Sequence, residues 1–180
     1  MAEFELFYWR TVTGRGVYIR LIFEATGTPY KEMAKDHDDL MAWRDQFKNS
    51  ATPVYAPPIL RHGELMLSQT AAIAAYVAEK VGLVSEEEKE KHRTNAMFLT
   101  VMDLANEAHD LHHPISGDLF YEDQKAESVR RAEQFVTVRF PKLVGYFERV
   151  LEQNSTGSGY LIGDSLSYAD LALYHTVNGL

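Results

Sequence analysis

Two groups of polar residues have types and spacings that could do chemistry. The first is Ser68-Gln69-Thr70, which leads directly into Ala71-Ala72-Ile73-Ala74-Ala75-Tyr76-Val77-Ala78. Ile73, Tyr76 and Val77 recur at helical spacing, so the trio opens a helix. A helix N-terminus has free N–H groups and a positive dipole end, which puts Gln69 and Thr70 where a carboxylate would bind. The second group is His109, His112 and His113, at i, i+3 and i+4 on one helical face. Such histidines can share a metal ion, but no third-ligand pattern such as HExxH accompanies them. A histidine cluster at the end of a helix, favoured there by the dipole, is the simpler reading, and no metal is expected. The chain has no cysteine, which removes disulfides, thiolate metal sites, cysteine nucleophiles and CxxC redox chemistry together.

The elements that must position these groups can be traced along the 180 residues. Ala56-Pro57-Pro58-Ile59-Leu60 starts a strand, Arg61-His62-Gly63-Glu64 has hairpin character, and Leu65-Met66-Leu67 is a second short strand. Upstream, Glu3 to Trp9 reads as a buried strand and Thr11 to Gly16 as a loop with two glycines. A helix follows, carrying Val17, Ile19, Leu21, Ile22 and Phe23, with Gly27 and Pro29 as stop signals. Pro29 to Met33 suits a short strand, and the charged stretch Asp36 to Ser50 an irregular helical region. Lys80 to Val84 reads as a linker. Ser85 and Glu88 have capping-box spacing before a long helix to about His113, and a second long helix covers Glu122 to Gln153, interrupted at Pro141. Asn154 to Gly159 reads as a flexible loop. Ser167 and Asp170 form another capping box, with Leu166 and Leu171 as a hydrophobic staple.

Composition narrows the class. Charged residues make up 24% and hydrophobic ones 46%, which suits a chain with a buried core. The net charge of −8 argues against nucleic acid or an anionic membrane as a partner. The N-terminus has no signal-peptide pattern and no segment reaches transmembrane length, so a cytoplasmic protein is expected.

Pro58-Ile59-Leu60 followed eleven residues after Pro58 by Gln69-Thr70 resembles the glutathione-binding core of the glutathione transferase superfamily, with Thr70 for the usual serine. Gly163-Asp164 through Ala169-Asp170 resembles a motif of that family's C-terminal domain. The resemblance implies an α/β thioredoxin-like N-terminal domain over 1–80, a linker over 81–84, and an all-α C-terminal domain over 85–180. It also implies glutathione as co-substrate, a small electrophile as second substrate, and a homodimer. The family usually continues for several helices beyond the last one here, so the helical domain is expected to be C-terminally short. The motifs Ala56-Pro57-Pro58 and His109-Asp110-Leu111-His112-His113-Pro114 are similar to a little-characterised fungal and bacterial branch.

Site residues follow from the same resemblance. The donor that stabilises the glutathione thiolate should project from the end of the first strand, which points to Tyr8, a phenol able to make a charge-assisted bond. Tyr8 also reads as one more aromatic in a buried strand. It precedes Gly14-Arg15 by six residues where Tyr-type members have five, which leaves Thr11 and Thr13 as rival hydroxyls. Gln69 and Thr70 would hold the γ-glutamyl carboxylate, Trp43 and Lys48 the glycine carboxylate, and Arg15 would lie nearby. Asp103 would reach the γ-glutamyl amine across the dimer. Pro57 stands where the family offers a backbone N–H and C=O to the cysteinyl part, but proline has no N–H. The histidine cluster would border the electrophile pocket. Two functions are compatible with these features: a glutathione S-transferase, with peroxide reduction as a variant using the same thiolate, or a non-catalytic relative that binds ligands or a protein partner.

Overall fold

Alternation along a four-residue strand, β1 (Phe4–Phe7), organises the first half of the chain. The computed structural model describes residues 3–180, which fall into two units divided between Val84 and Ser85. In the first unit β1 pairs in parallel with β2 (Tyr30–Glu32) and antiparallel with β3 (Ile59–His62), and β3 pairs antiparallel with β4 (Leu65–Ser68). The sheet order is β2-β1-β3-β4. Successive side chains point to opposite faces, so Phe4 meets Phe23 of α1 (Val17–Thr26) while Phe7 meets Trp43 and Phe47 of α2 (His37–Lys48). α1 packs on α3 (Thr70–Val81), which buries Ile73, Ala74, Val77 and Ala78. On the α2 side the core is Phe7, Ala34, Leu40, Phe47, Val54 and Ile59.

Several local expectations need correction. Asp36 to Ser50 is not irregular: α2 is a regular helix capped by the Asp36 carboxylate, which accepts from Asp39 N at 2.9 Å. Arg61 and His62 belong to β3, and the hairpin turn is Gly63-Glu64, with Gly63 at φ 63°. α3 runs on to Val81, and Leu83 is buried, its N–H donating to Ala78 O at 2.8 Å.

The second unit is helical. α4 (Glu88–His112) packs against α5 (Lys125–Gln134) and most extensively against α7 (Tyr168–Asn178), where the Phe98 and Tyr168 rings lie 5.1 Å apart. Ser85 does not cap α4; its Oγ accepts from Glu87 N, and the helix starts three residues after it. The long helix expected over 122–153 is a 3-10 turn (Tyr121–Gln124), α5, a π turn (Phe135–Arg139) and α6 (Phe140–Gln153). Pro141 sits in the first turn of α6, where its missing N–H costs least, and the π turn directly precedes it. Asn154 to Gly159 is tied down: the Asn154 amide donates to Tyr160 O and Gly163 O, both at 2.8 Å. The second capping box forms, and its Asp170 carboxylate also accepts from Leu161 N at 2.8 Å. Leu166, expected as half of the staple, is exposed.

Asp170→Ala strips three donors (Leu161 N, Ser167 N and Ser167 Oγ) of their acceptor. The expected loss is about 2–3 kcal/mol, read by urea denaturation. Burial pushes the His175 imidazole below its ordinary range. A group depressed in the fold leaves the unfolded chain binding more protons, so stability rises with pH through its titration. The His175 contribution is therefore complete above about pH 6.5 and is lost as pH falls through the folded value. Side-chain bonds from Arg61 and Arg139 hold the Glu5 and Glu107 carboxyls below their ordinary range, so their contributions persist until pH drops below about 4.3. Thermal melts should show a decline beginning below about pH 6.5 that His175→Gln flattens, with the carboxylate decline unaltered.

Candidate functional site

The sheet register gathers the candidate residues. Phe7 pairs with Ile59, and Ile59 with Ser68. The next positions at that end of the three strands are Tyr8, leaving β1; Pro58, entering β3 through a cis Pro57-Pro58 bond; and Gln69, leaving β4 into α3.

Tyr8 is buried, with 5% of its surface exposed, and its ring lies against the loop that starts α1. A Cβ on Gly14 would stand 2.4 Å from the Tyr8 hydroxyl oxygen, and one on Gly16 2.3 Å from ring carbon Cδ1. No real side chain tolerates such contacts, so these two glycines are needed for close approach. Arg15 N donates to the Tyr8 oxygen at 2.9 Å, which leaves the hydroxyl proton available to a further acceptor. Burial raises the Tyr8 pKa, against opposing effects from the Arg15 and Gly16 backbone N–H groups and the Arg15 and Arg20 charges. The phenol is therefore protonated at neutral pH and can act as a donor. Thr11 and Thr13 are exposed.

At the start of α3, Gln69 has φ 74° and ψ 117°, the only positive φ outside glycine among the described residues. Holding such a conformation costs on the order of 1–3 kcal/mol. Beside it, Thr70 is 4% exposed, and its Oγ1 is buried without a hydrogen-bond partner. Strain and an orphaned hydroxyl therefore adjoin at one helix N-terminus, where N–H groups face outward and an anion is favoured.

The other candidates are more dispersed. Trp43 is half-buried, its ring edge-on to Phe7 and stacked on Phe47, with the Arg61 guanidinium 5.8 Å from its centroid. Lys48 is exposed in the last turn of α2, and Arg15 is exposed before α1. Pro57 is partly buried. Asp103 is exposed on α4, in the second unit. The His109 and His113 rings stack 5.1 Å apart, and His112 tilts against Tyr121. Among the described residues no group of three or more His, Cys, Asp or Glu side chains could hold a metal ion.

Sequence reasoning missed Arg20 and Glu32. Arg20 Nε donates to Glu32 Oε1 at 2.5 Å, and Nη2 donates to Glu32 Oε2 at 3.2 Å and to Trp9 O at 2.9 Å. Its guanidinium carbon lies 5.6 Å from the Tyr8 ring centroid. The available signal was a lone arginine inside the apolar run Val17-Tyr18-Ile19-Arg20-Leu21-Ile22-Phe23.

Comparison with known proteins bears on what this arrangement is. A family profile described as the glutathione S-transferase C-terminal domain matches residues 109–180. The chain is 28% identical over 181 residues to a glutathione S-transferase of Plasmodium falciparum, covering 97% of this chain and 79% of that protein. It is 30% identical over 175 residues to human glutathione S-transferase A2, covering 96% of this chain and 72% of that protein. Among solved structures, the Pi-class glutathione S-transferase of Onchocerca volvulus superposes with a TM-score of 0.76 at 23% identity, covering 98% of this chain and 76% of that one, a likeness of fold. With a thioredoxin-like sheet, a helical second unit and this degree of identity over nearly its whole length, the chain belongs to the glutathione S-transferase family.

Proposed function

We propose that the chain is a glutathione S-transferase that binds glutathione at the strand ends of its first unit and activates the thiol for attack on a small electrophile. The observation that carries the reading is the orphaned Thr70 hydroxyl beside strained Gln69. A γ-glutamyl carboxylate there satisfies Thr70 Oγ1 and meets the N-terminus of α3. Tyr8 donates its hydroxyl proton in a hydrogen bond to the sulfur, favouring thiolate over thiol. The thiol proton leaves to solvent, the thiolate forms a C–S bond to the electrophile, and a leaving group departs with its electron pair. Pro57 can offer only its carbonyl to the cysteinyl portion. Trp43 and Lys48 are assigned to the glycine carboxylate, Arg15 to the neighbourhood of the sulfur, and Asp103 to the γ-glutamyl amine of a second copy in a homodimer. Within the family we assign the chain, on its Ala56-Pro57-Pro58 and His109–Pro114 motifs, to the fungal and bacterial branch that shares them.

Two experiments test the reading. Tyr8→Phe should lower turnover by about 10²-fold while leaving glutathione affinity nearly intact. Unchanged turnover would move the donor role to Thr11 or Thr13. Thr70→Val removes a buried hydroxyl that has no partner in the free protein, so its melting temperature should hold or rise. In calorimetric titration the same variant should bind glutathione about tenfold more weakly. Lower stability with unchanged affinity would remove Thr70 from the site.

A further inference from the structure

The ladder that fixes β1 ends at Phe7, so the backbone carrying Tyr8 and Trp9 has left the sheet when it reaches the site. Arg20 takes over from the ladder there. Its guanidinium is gripped at two positions by the Glu32 carboxylate on β2, and one of its nitrogens also binds Trp9 O. Arg10 reinforces the same corner by donating to Glu32 O at 2.8 Å. The Arg20 and Glu32 side chains are only 15% and 20% exposed, so the pair is held more tightly than a surface ion pair. The fork geometry of arginine is what allows one side chain to hold a carboxylate and a carbonyl together.

We propose that Arg20 is a positioning residue for the reaction: locked by Glu32, it pins the Trp9 carbonyl and faces the Tyr8 ring, keeping the Tyr8 hydroxyl aimed and strongly donating. This rests on the reading of Tyr8 given above. The phenol is then set from three sides: Gly14 and Gly16 leave room for the ring, Arg15 N–H occupies a lone pair of its oxygen, and Arg20 holds the carbonyl of the following residue, Trp9, and places positive charge at the ring. A cation at an aromatic ring stabilises negative charge developing on the attached oxygen. A more acidic phenol makes a stronger hydrogen bond to a thiolate, so the effect of Arg20 reaches the sulfur through Tyr8.

The test uses the full chain and glutathione itself. The pKa of the bound thiol is read from thiolate absorbance against pH, with affinity by calorimetry and folding by circular dichroism. Arg20→Met should raise the bound-thiol pKa by about one unit, about a tenfold fall in the thiolate-to-thiol ratio at any given pH. Turnover should fall while glutathione affinity, read below the bound-thiol pKa where the thiol form binds, changes little, the split expected of a group that acts only on the reacting state. Arg20→Lys keeps the charge without the fork and should recover part of the shift. Glu32→Gln should give a smaller rise, and it carries the test alone if Arg20→Met does not fold. On a Tyr8→Phe background, Arg20→Met should add no further shift, since its effect passes through the phenol. An unchanged thiol pKa in folded Arg20→Met, or in Glu32→Gln where that is the only folded variant, overturns the positioning role. If Tyr8→Phe shifts the thiol and Arg20→Met does not, only this inference fails. If Tyr8→Phe itself gives no shift, the underlying reading of Tyr8 fails and this one falls with it.

Discussion

The antiparallel pairing of β1 with β3, and of β3 with β4, is the constraint on which the site depends. Its register fixes Phe7, Ile59 and Ser68 in one row, so the residues that follow or precede them emerge at one end of the sheet whatever their chemistry. A slip of one residue would exchange the two faces. Phe7 would leave the core shared with Leu40, Phe47 and Val54, and Phe4 would leave Phe23. The hydrophobic cores on the two faces therefore hold the register, and the register holds the site. The Glu5–Arg61 ion pair, directly across β1 and β3, adds to the same alignment, and the Arg61 guanidinium also lies 5.6 Å from the Phe7 ring centroid.

Against that rigid frame, the start of α3 is locally unfavourable. Gln69 is held in a conformation that a non-glycine residue adopts at a cost, and Thr70 buries a hydroxyl with no partner. Together these cost a few kcal/mol by ordinary magnitudes, a sizeable share of the total stability of a small domain. They persist because burial of Ile73, Ala74, Val77 and Ala78 fixes α3 against α1 independently of its first residues. Local rules broken at one point in an otherwise consistent fold are expected where binding chemistry sits.

Legibility in the sequence followed the range of the interactions. The strands, α1, α3 and the Ser167–Asp170 box were readable because apolar periodicity, glycine stops and caps are local signals. The same spacing at Ser85 and Glu88 misled, since nothing local says that the chain will first turn and begin its helix later. α2 read as irregular because dense charge hid its apolar stripe, although Asp36 and Asp39 carried a capping pattern. The π turn before Pro141 was invisible, because proline marks an interruption without saying how the backbone absorbs it. At the site, Gln69 and Thr70 were legible as a helix start, but the strain and the orphaned hydroxyl belong to three dimensions. Arg20 was missed for the same reason: its partners Glu32 and Trp9 stand twelve and eleven residues away in sequence.

The choice among hydroxyls at the end of β1 turns on desolvation. Thr11 and Thr13 are exposed, so a hydrogen bond from either to a thiolate replaces one from water and gains little. The Tyr8 hydroxyl is at the end of a buried ring, is already bonded to a backbone N–H and has an arginine beside that ring. A donor fixed beforehand in a poorly solvated position needs no reorganisation when negative charge appears on an acceptor beside it, and its hydrogen bond is stronger there than in water. Six positions separate Tyr8 from Gly14, yet the loop folds back onto the phenol, where Arg15 N–H reaches its oxygen. Gly14 and Gly16 still pack directly against Tyr8. The spacing that counts is the distance from ring to loop, and two glycines keep it short.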